Sequence, residues 1–179
     1  MSEVYPHISL DLAQWIHQQK NFFVATAPLS KEGHINCSPK GSDTFRILNE
    51  MTVAYLDLTG SGVETIAHLK ENGRIVIMFC AFEGPPRIAR LYGKGEVVEI
   101  QHPEYPSLIN HFSQNSGQRA IIKIAVERVS TSCGMAVPLF EFKRDREDLD
   151  RWAQAKGPEK LKEYRERKNK VSIDELRGL

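Results

Sequence analysis

The chain has 179 residues, 24 basic against 23 acidic side chains, and 41% hydrophobic residues. This composition is typical of one globular domain and does not favour a disordered chain or a nucleic-acid binder that relies on excess positive charge. No apolar run approaches the roughly 20 residues that span a bilayer, and no secretory signal opens the sequence, so we expect a cytoplasmic protein without membrane contact. The three cysteines and six histidines form no metal-binding spacing, so no metal site is predicted.

The first elements in chain order are a helix and a hairpin. Apolar spacing predicts a helix over residues 8–19, with Ser9 or Asp11 as its cap. A β-rich run over residues 21–27, a turn and residues 34–38 then predict a hairpin. Short strands are expected over residues 44–48 and 51–58.

The middle of the chain combines a short helix with long strands. The helix begins near Val63 and ends at Gly73, a residue suited to a left-handed cap. Residues 75–82 form an uninterrupted apolar strand that should be covered on both faces. A strand over residues 87–100 contains Gly93, which indicates a bulge or bend, and a helix over residues 103–115 precedes a strand over residues 119–132.

Six or more antiparallel strands separated by short helices predict a mainly β fold, a closed antiparallel barrel with peripheral helices, since closure removes exposed strand edges. The last part of the chain differs, because 18 of the 28 residues from 143 to 170 are charged. Two surface helices divided at Gly157 and Pro158 fit this pattern. We therefore describe residues 1–142 as the barrel and residues 143–179 as a helical extension packed on it within one domain.

Residues 36–41 form the first candidate binding segment. Ser38 and Lys40 offer a hydroxyl and a cation, and Gly41 allows a close backbone approach, as an anion-binding corner requires. The alternative is a strand end with an exposed lysine.

Residues 59–62 form the second candidate, a Thr-Gly-Ser-Gly loop that leads into a helix. Free N–H groups at a helix N-terminus favour a phosphate. Capping of the helix by Thr59 or Ser61 is the competing explanation.

Two further segments are weaker candidates. Arg87 and Arg90 are three apart on a predicted strand, so they point to opposite faces and at most one reaches a given site. Cys133 lies in a small-residue loop without a local base, which favours packing over covalent catalysis. With no acid–base pair apparent, these loops suggest a site for a phosphorylated cofactor that supplies the chemistry.

The order of three segments, residues 36–41, 55–65 and 84–93, resembles the pyridoxamine 5'-phosphate oxidase-like flavoproteins. The stretch from Thr131 through Trp152 to Asp174 resembles a bacterial and fungal subgroup of that family. The resemblance implies an FMN-binding split β-barrel that works as a homodimer, with two FMN sites at the subunit interface.

The resemblance also implies which residues form the site. Residues 36–38 would line the flavin, residues 59–65 would hold its phosphate, Lys40 would meet an anionic substrate, and Arg87 with Ile88 would reach FMN from the partner subunit. The complete cofactor-binding set is Asn36, Cys37, Ser38, Pro39, Lys40, Asp57, Thr59, Gly60, Ser61, Gly62, Glu64, Thr65, Arg87, Ile88 and Cys133.

The function that the resemblance implies is redox chemistry on an unidentified small substrate through bound FMN. A flavin carrier or sensor without turnover is the alternative, and a haem-binding barrel is a weaker one. The chain has no suitable arginine between Gln101 and Arg119 and no histidine after His111. Because true oxidases use such residues for the vitamin B6 phosphate, we do not expect pyridoxamine-phosphate oxidase activity itself.

Overall fold

The computed structural model of the protein describes residues 3–179. Strands and helices follow one another in this order: β1 (Glu3–Tyr5), α1 (Leu10–Gln18), β2 (Phe22–Thr26), β3 (Asn36–Lys40), β4 (Phe45–Asn49), β5 (Thr52–Leu58), α2 (Glu64–Asn72), β6 (Arg74–Cys80), β7 (Ile88–Glu99), α3 (Tyr105–Ile109), β8 (Gln118–Ser132) and α4 (Asp148–Lys168).

All strands belong to one antiparallel sheet. Its order is β3-β2-β6-β7-β8-β5-β4, and β1 pairs with β8 outside this path. The 15-residue β8 is the longest strand and pairs with both β7 and β5. Among the strands of residues 3–179, β3 and β4 end the path, so the hydrogen-bonded barrel is split rather than closed. The mainly β split barrel that the resemblance implies is confirmed, whereas the closed barrel expected from the strand pattern is wrong, because β3 and β4 do not pair in the described part of the chain.

The helix boundaries follow local signals. Ser9 caps α1, since its hydroxyl accepts from the backbone N–H of Leu12 at 3.2 Å. Gly73 ends α2 with a φ of 71°, the left-handed conformation that favours glycine. Both ends agree with the sequence prediction.

The core has two parts. The larger lies inside the barrel and includes Val24, Tyr55 and Ile77, all fully buried. The smaller lies on the other face of β5 and β8, where α3 covers it. The expectation that residues 75–82 are covered on both faces needs correction, because Val76 and Met78 on the outer face of β6 are only half-buried within one chain.

Two predictions, one about the bulge in β7 and one about the helix that follows it, have different outcomes. The register of β7 and β8 shifts between Tyr92 and Gly93, as a bulge at this glycine predicts. A Cβ at Gly93 would lie 2.0 Å from the carbonyl oxygen of Ala125, so only glycine fits there. The helix expected over residues 103–115 is wrong in length, because α3 covers only Tyr105–Ile109 before a run of turn-forming residues.

The charged extension packs on the barrel through few side chains. α4 is interrupted at Gly157, whose φ is 73°, so two helical pieces meet there as predicted. Ala153 and Leu161 are its buried residues. Within residues 3–179, no helix has the length and apolar character that crossing a membrane requires.

Candidate functional site

Strand β3 divides its predicted site residues between two faces. Ser38 lies opposite Val24 of β2, a core residue, and its neighbours Asn36 and Lys40 share its face because side chains alternate along a strand. Cys37 and Pro39 take the outer face and are exposed. The structure therefore brings three of the five residues toward the barrel interior.

The inward residues of β3 contact the first turn of α2. The side-chain amide of Asn36 donates to Thr65 Oγ1 at 3.0 Å, and the Ser38 hydroxyl donates to Asn36 Oδ1 at 3.2 Å. Thr65 is buried. These bonds join two segments that are 29 positions apart, and both segments belong to the predicted cofactor-binding set.

A buried ion cluster lies beside them. Lys40 Nζ is 3.3 Å from Asp57 Oδ1, and Asp57 Oδ2 is 2.5 Å from Arg119 Nε. Burial alone would raise the pKa of Asp57, but the charges of Arg119 and Lys40 outweigh it and hold this pKa below its ordinary value. With its side chain 23% exposed and paired, Lys40 is not the exposed lysine of the alternative interpretation.

The ring of Tyr55 lies next to the ion cluster of Lys40, Asp57 and Arg119. Lys40 Nζ is 5.9 Å from the centre of the Tyr55 ring, a cation–π distance. The Tyr55 hydroxyl is buried and has no hydrogen-bond partner among residues 3–179. Burial and the nearby Asp57 carboxylate raise the pKa of this phenol, so it stays protonated. The neighbouring Thr65 side chain opposes part of this shift, so the hydroxyl lies beside Thr65 at the edge of the candidate site.

The loop at residues 59–62 leads into α2 without a side-chain cap. The N-cap position is Val63, and no side chain bonds to the helix N-terminus there. Thr59 instead donates its hydroxyl to the carbonyl of Gly117 and accepts from Arg165 Nε at 2.9 Å. The capping explanation for this loop is therefore wrong.

Glu64 occupies the first turn of α2, and its side chain folds back toward the loop. A Cβ at Gly62 would lie 2.5 Å from Glu64 Oε2, so the carboxylate rests against this glycine. A carboxylate at a helix N-terminus interacts favourably with the helix dipole. It would also repel a second anion at the same place.

The arginines after residue 86 have separate partners. Arg87, which the sequence pattern places in a strand, precedes β7, pairs with Asp11 at 3.1 Å and covers the ring of Trp15. Arg90 donates to Ser132 Oγ at 3.2 Å. Neither arginine joins the cluster around Asp57.

Arg87, Ile88 and Cys133 lie at one end of β8, whereas the loop at residues 59–62 lies at the other. Ile88 pairs with Ser132, and Leu58 pairs with Gln118. Fifteen residues of extended strand span up to about 45 Å, so one chain does not bring the two groups together.

A large cavity opens beside Lys40. Its volume is about 980 Å³, and it lies between the end of β3, the turn after β6 and the segment that precedes α4. Its lining combines aromatic and basic side chains, among them Phe82, Phe140, Lys143 and Arg144, with the acidic residues Glu83, Glu141 and Asp145. Its size is that of a small-molecule site.

Sequence reasoning missed three residues that contact the loop: Arg119, Arg165 and Asn169. One signal could have indicated Arg119. Asp57 interrupts the apolar strand β5, and a buried carboxylate requires a cationic partner. Nothing local in the sequence marks Asn169.

Similarities to known proteins identify the family of this chain. The sequence pattern of the pyridoxamine 5'-phosphate oxidase family matches residues 10–133. The chain is 39% identical to the pyridoxamine 5'-phosphate oxidase family protein ustO of Aspergillus flavus, over 98% of this chain and 77% of that protein. The chain belongs to the pyridoxamine 5'-phosphate oxidase family.

Solved structures show the same family fold. HupZ of Group A Streptococcus is 25% identical, with a TM-score of 0.56 over 70% of this chain and 99% of that one. The FAD-binding protein of Mycobacterium smegmatis is 9% identical, with a TM-score of 0.50 over 70% of this chain and 96% of that one. The second likeness concerns the fold alone.

Proposed function

We propose that this member of the pyridoxamine 5'-phosphate oxidase family binds FMN and carries out redox chemistry on a small substrate. The observation that carries the proposal is the uncapped loop at residues 59–62, next to the cations Lys40 and Arg119. A loop of free N–H groups at a helix N-terminus fits a phosphate. When bound, FMN supplies hydride transfer, and the protein supplies binding and orientation.

The remaining predicted residues have compatible positions. Asn36, Ser38 and Thr65 form a hydrogen-bonded polar edge where a flavin ring with several acceptors and donors can bind. The buried, unpartnered hydroxyl of Tyr55 is a further donor close to this edge. Because the Mycobacterium smegmatis neighbour is described as FAD-binding, the flavin released from the protein is to be identified by mass.

We also propose a homodimer with FMN at the subunit interface. Two observations support it. Val76 and Met78 on the outer face of β6 remain half-buried in a single chain, and Tyr92 on β7 is 38% exposed. Arg87 and Ile88 lie beside the opposite end of β8 from the loop of their own subunit, so their predicted role at FMN requires a second copy. Light scattering should give twice the mass of the chain, and a monomer would contradict the proposal.

The substrate would enter beside Lys40. The 980 Å³ cavity at this lysine is lined by aromatic rings and by five basic against three acidic side chains, a balance that suits a small anionic molecule. The cavity faces the outer side of β3, where Pro39 lies, whereas Lys40 Nζ contacts Asp57 on the inner side, so Lys40 would leave Asp57 and turn outward to meet the substrate anion.

The functional test is reduction of the bound flavin. The protein with FMN is mixed anaerobically with NADH or NADPH, and the loss of flavin absorbance is followed before an acceptor is added. Reduction and reoxidation at the rate of turnover support an oxidoreductase. Binding of FMN without reduction by any donor in the panel would identify a flavin carrier or sensor instead.

Haem is the less favoured cofactor. It would need an accessible axial ligand, and His68, the histidine of α2, is fully buried with its Nδ1 bound to Thr26 Oγ1 at 2.9 Å. Burial also lowers the pKa of His68, which keeps the ring neutral. His68 is therefore not available as an axial ligand.

A further inference from the structure

The loop at residues 59–62 is held by its carbonyl groups. Arg119 Nη1 donates to the carbonyl of Gly62 at 2.9 Å, and Asn169 Nδ2 donates to the carbonyls of Gly60 at 2.9 Å and Ser61 at 3.3 Å. The same Arg119 nitrogen donates to Asn169 Oδ1 at 3.0 Å. We call these two side chains the carbonyl clamp.

The clamp fixes the direction of the N–H groups. In a trans peptide the N–H points away from the C=O of the same unit, and the described chain has no cis peptide. With the carbonyls of residues 60–62 directed at the clamp, the N–H groups of Ser61, Gly62 and Val63 point to the opposite side. Among residues 3–179, none of the three N–H groups donates a hydrogen bond, and Ser61 and Gly62 are exposed.

Cationic side chains outnumber carboxylates around the loop. Arg119 and Lys40 share the single carboxylate of Asp57, and Arg165 binds Thr59 Oγ1 and the carbonyl of Gln118 without a carboxylate of its own among its contacts within residues 3–179. Burial and the neighbouring Arg119 lower the pKa of Arg165, as crowding of like charges requires. Glu64, whose carboxylate rests against Gly62, offsets part of this excess, and an anion at the loop would offset the rest.

The clamp belongs partly to the charged extension. Asn169 follows α4 and is fully buried, and its own carbonyl accepts from the N–H of Leu179 at 2.9 Å. The C-terminal residues therefore hold Asn169 in place, and Asn169 holds the loop.

We propose that Arg119 and Asn169 are positioning residues that turn the loop N–H groups toward the phosphate of the bound flavin nucleotide. The C-terminal extension is in this way a part of the cofactor site. The inference rests on the proposed function, and it adds that the phosphate contribution to affinity depends on a residue 109 positions away from Gly60.

The test compares FMN with riboflavin, which lacks the phosphate. Dissociation constants are measured by quenching of flavin fluorescence for the wild-type chain and for Asn169→Ala. We expect FMN affinity to fall about tenfold, since two donated hydrogen bonds are lost, while riboflavin affinity stays within about twofold. Asn72→Ala is the matched control, because the half-buried Asn72 also donates its Nδ2 to a carbonyl, that of Ala27 at 2.9 Å, but lies at the far end of α2 and should leave the ratio of the two affinities unchanged.

A second variant covers the case in which Asn169→Ala does not fold. Asn169→Asp keeps the shape and the acceptor for Arg119 but loses both donations to the loop, so it should also lower FMN affinity selectively. Variants that weaken FMN and riboflavin equally, or neither, overturn the inference. A wild-type chain that binds no flavin overturns the proposed function as well, whereas wild-type FMN binding with unchanged variants overturns the inference alone.

Discussion

Replacing Asp57 by asparagine tests the buried ion cluster most severely. The side chains of Asp57 and Arg119 are 1% and 5% exposed, and Lys40 is held by the same carboxylate. The neutral amide of the Asp57→Asn variant would leave two cations without a counter-ion and would turn an NH₂ group toward one of them. Removing one partner of a buried pair costs about 3–5 kcal/mol. For a chain of this size that corresponds to a fall in Tm of about 6–20 °C.

The control is Asp43→Asn. Asp43 also pairs with an arginine, Arg46 at 2.9 Å, but its side chain is 74% exposed. Surface pairs contribute at most about 1 kcal/mol, and asparagine tolerates the positive φ of 53° at this position. Both variants and the wild-type chain are compared by urea denaturation. Equal stability losses for Asp57→Asn and Asp43→Asn would refute the account of the cluster.

The pH dependence of this stability difference has a definite sign. Because the folded-state pKa of Asp57 lies below its ordinary value, its stabilising contribution is complete above about pH 4 and is lost as the pH falls through the folded-state value. The stability gap between the wild-type chain and Asp57→Asn should therefore be constant from about pH 5 to about pH 7 and should narrow on acidification toward about pH 2. A gap that widens in acid would contradict this assignment.

Two other predictions concern a glycine and a carboxylate. Gly93→Ala should lower the free energy of unfolding by about 1–3 kcal/mol or more, because its Cβ would meet the Ala125 carbonyl at 2.0 Å, while Gly60→Ala, with nothing within 4 Å, should be tolerated in a thermal melt. Glu64→Gln should strengthen FMN binding about two- to fivefold by removing a negative charge beside Gly62, measured by fluorescence titration. Glu71→Gln, at the other end of α2, should leave FMN binding unchanged.

The sequence predicts the elements well where a local signal exists. Ser9 before an apolar helical pattern and Gly73 after one mark the two helix ends, because caps depend on single residues. Gly93 marks the bulge for the same reason. The length of the helix predicted at residues 103–115 is overestimated, because apolar spacing alone does not show the turn-forming run after Phe112.

Local sequence signals predict only part of the candidate site. Lys40 is apparent as a cation, but its partner Asp57 is 17 positions away, and Arg119 is a further 62 from Asp57. Asn169 contacts Gly60 across 109 positions and has no distinctive neighbours. Such contacts depend on how the sheet and the extension pack, which local periodicity does not specify.

Binding of FMN by the purified chain is the most direct test of the central claim. The protein is purified without added cofactor, its visible spectrum is recorded, and any flavin released on denaturation is identified by mass. We expect either bound FMN or, for the empty protein, saturable FMN binding that stabilises the fold by about 2.7 kcal/mol at about a hundred times the dissociation constant. A colourless protein whose thermal melt does not respond to FMN would contradict the account.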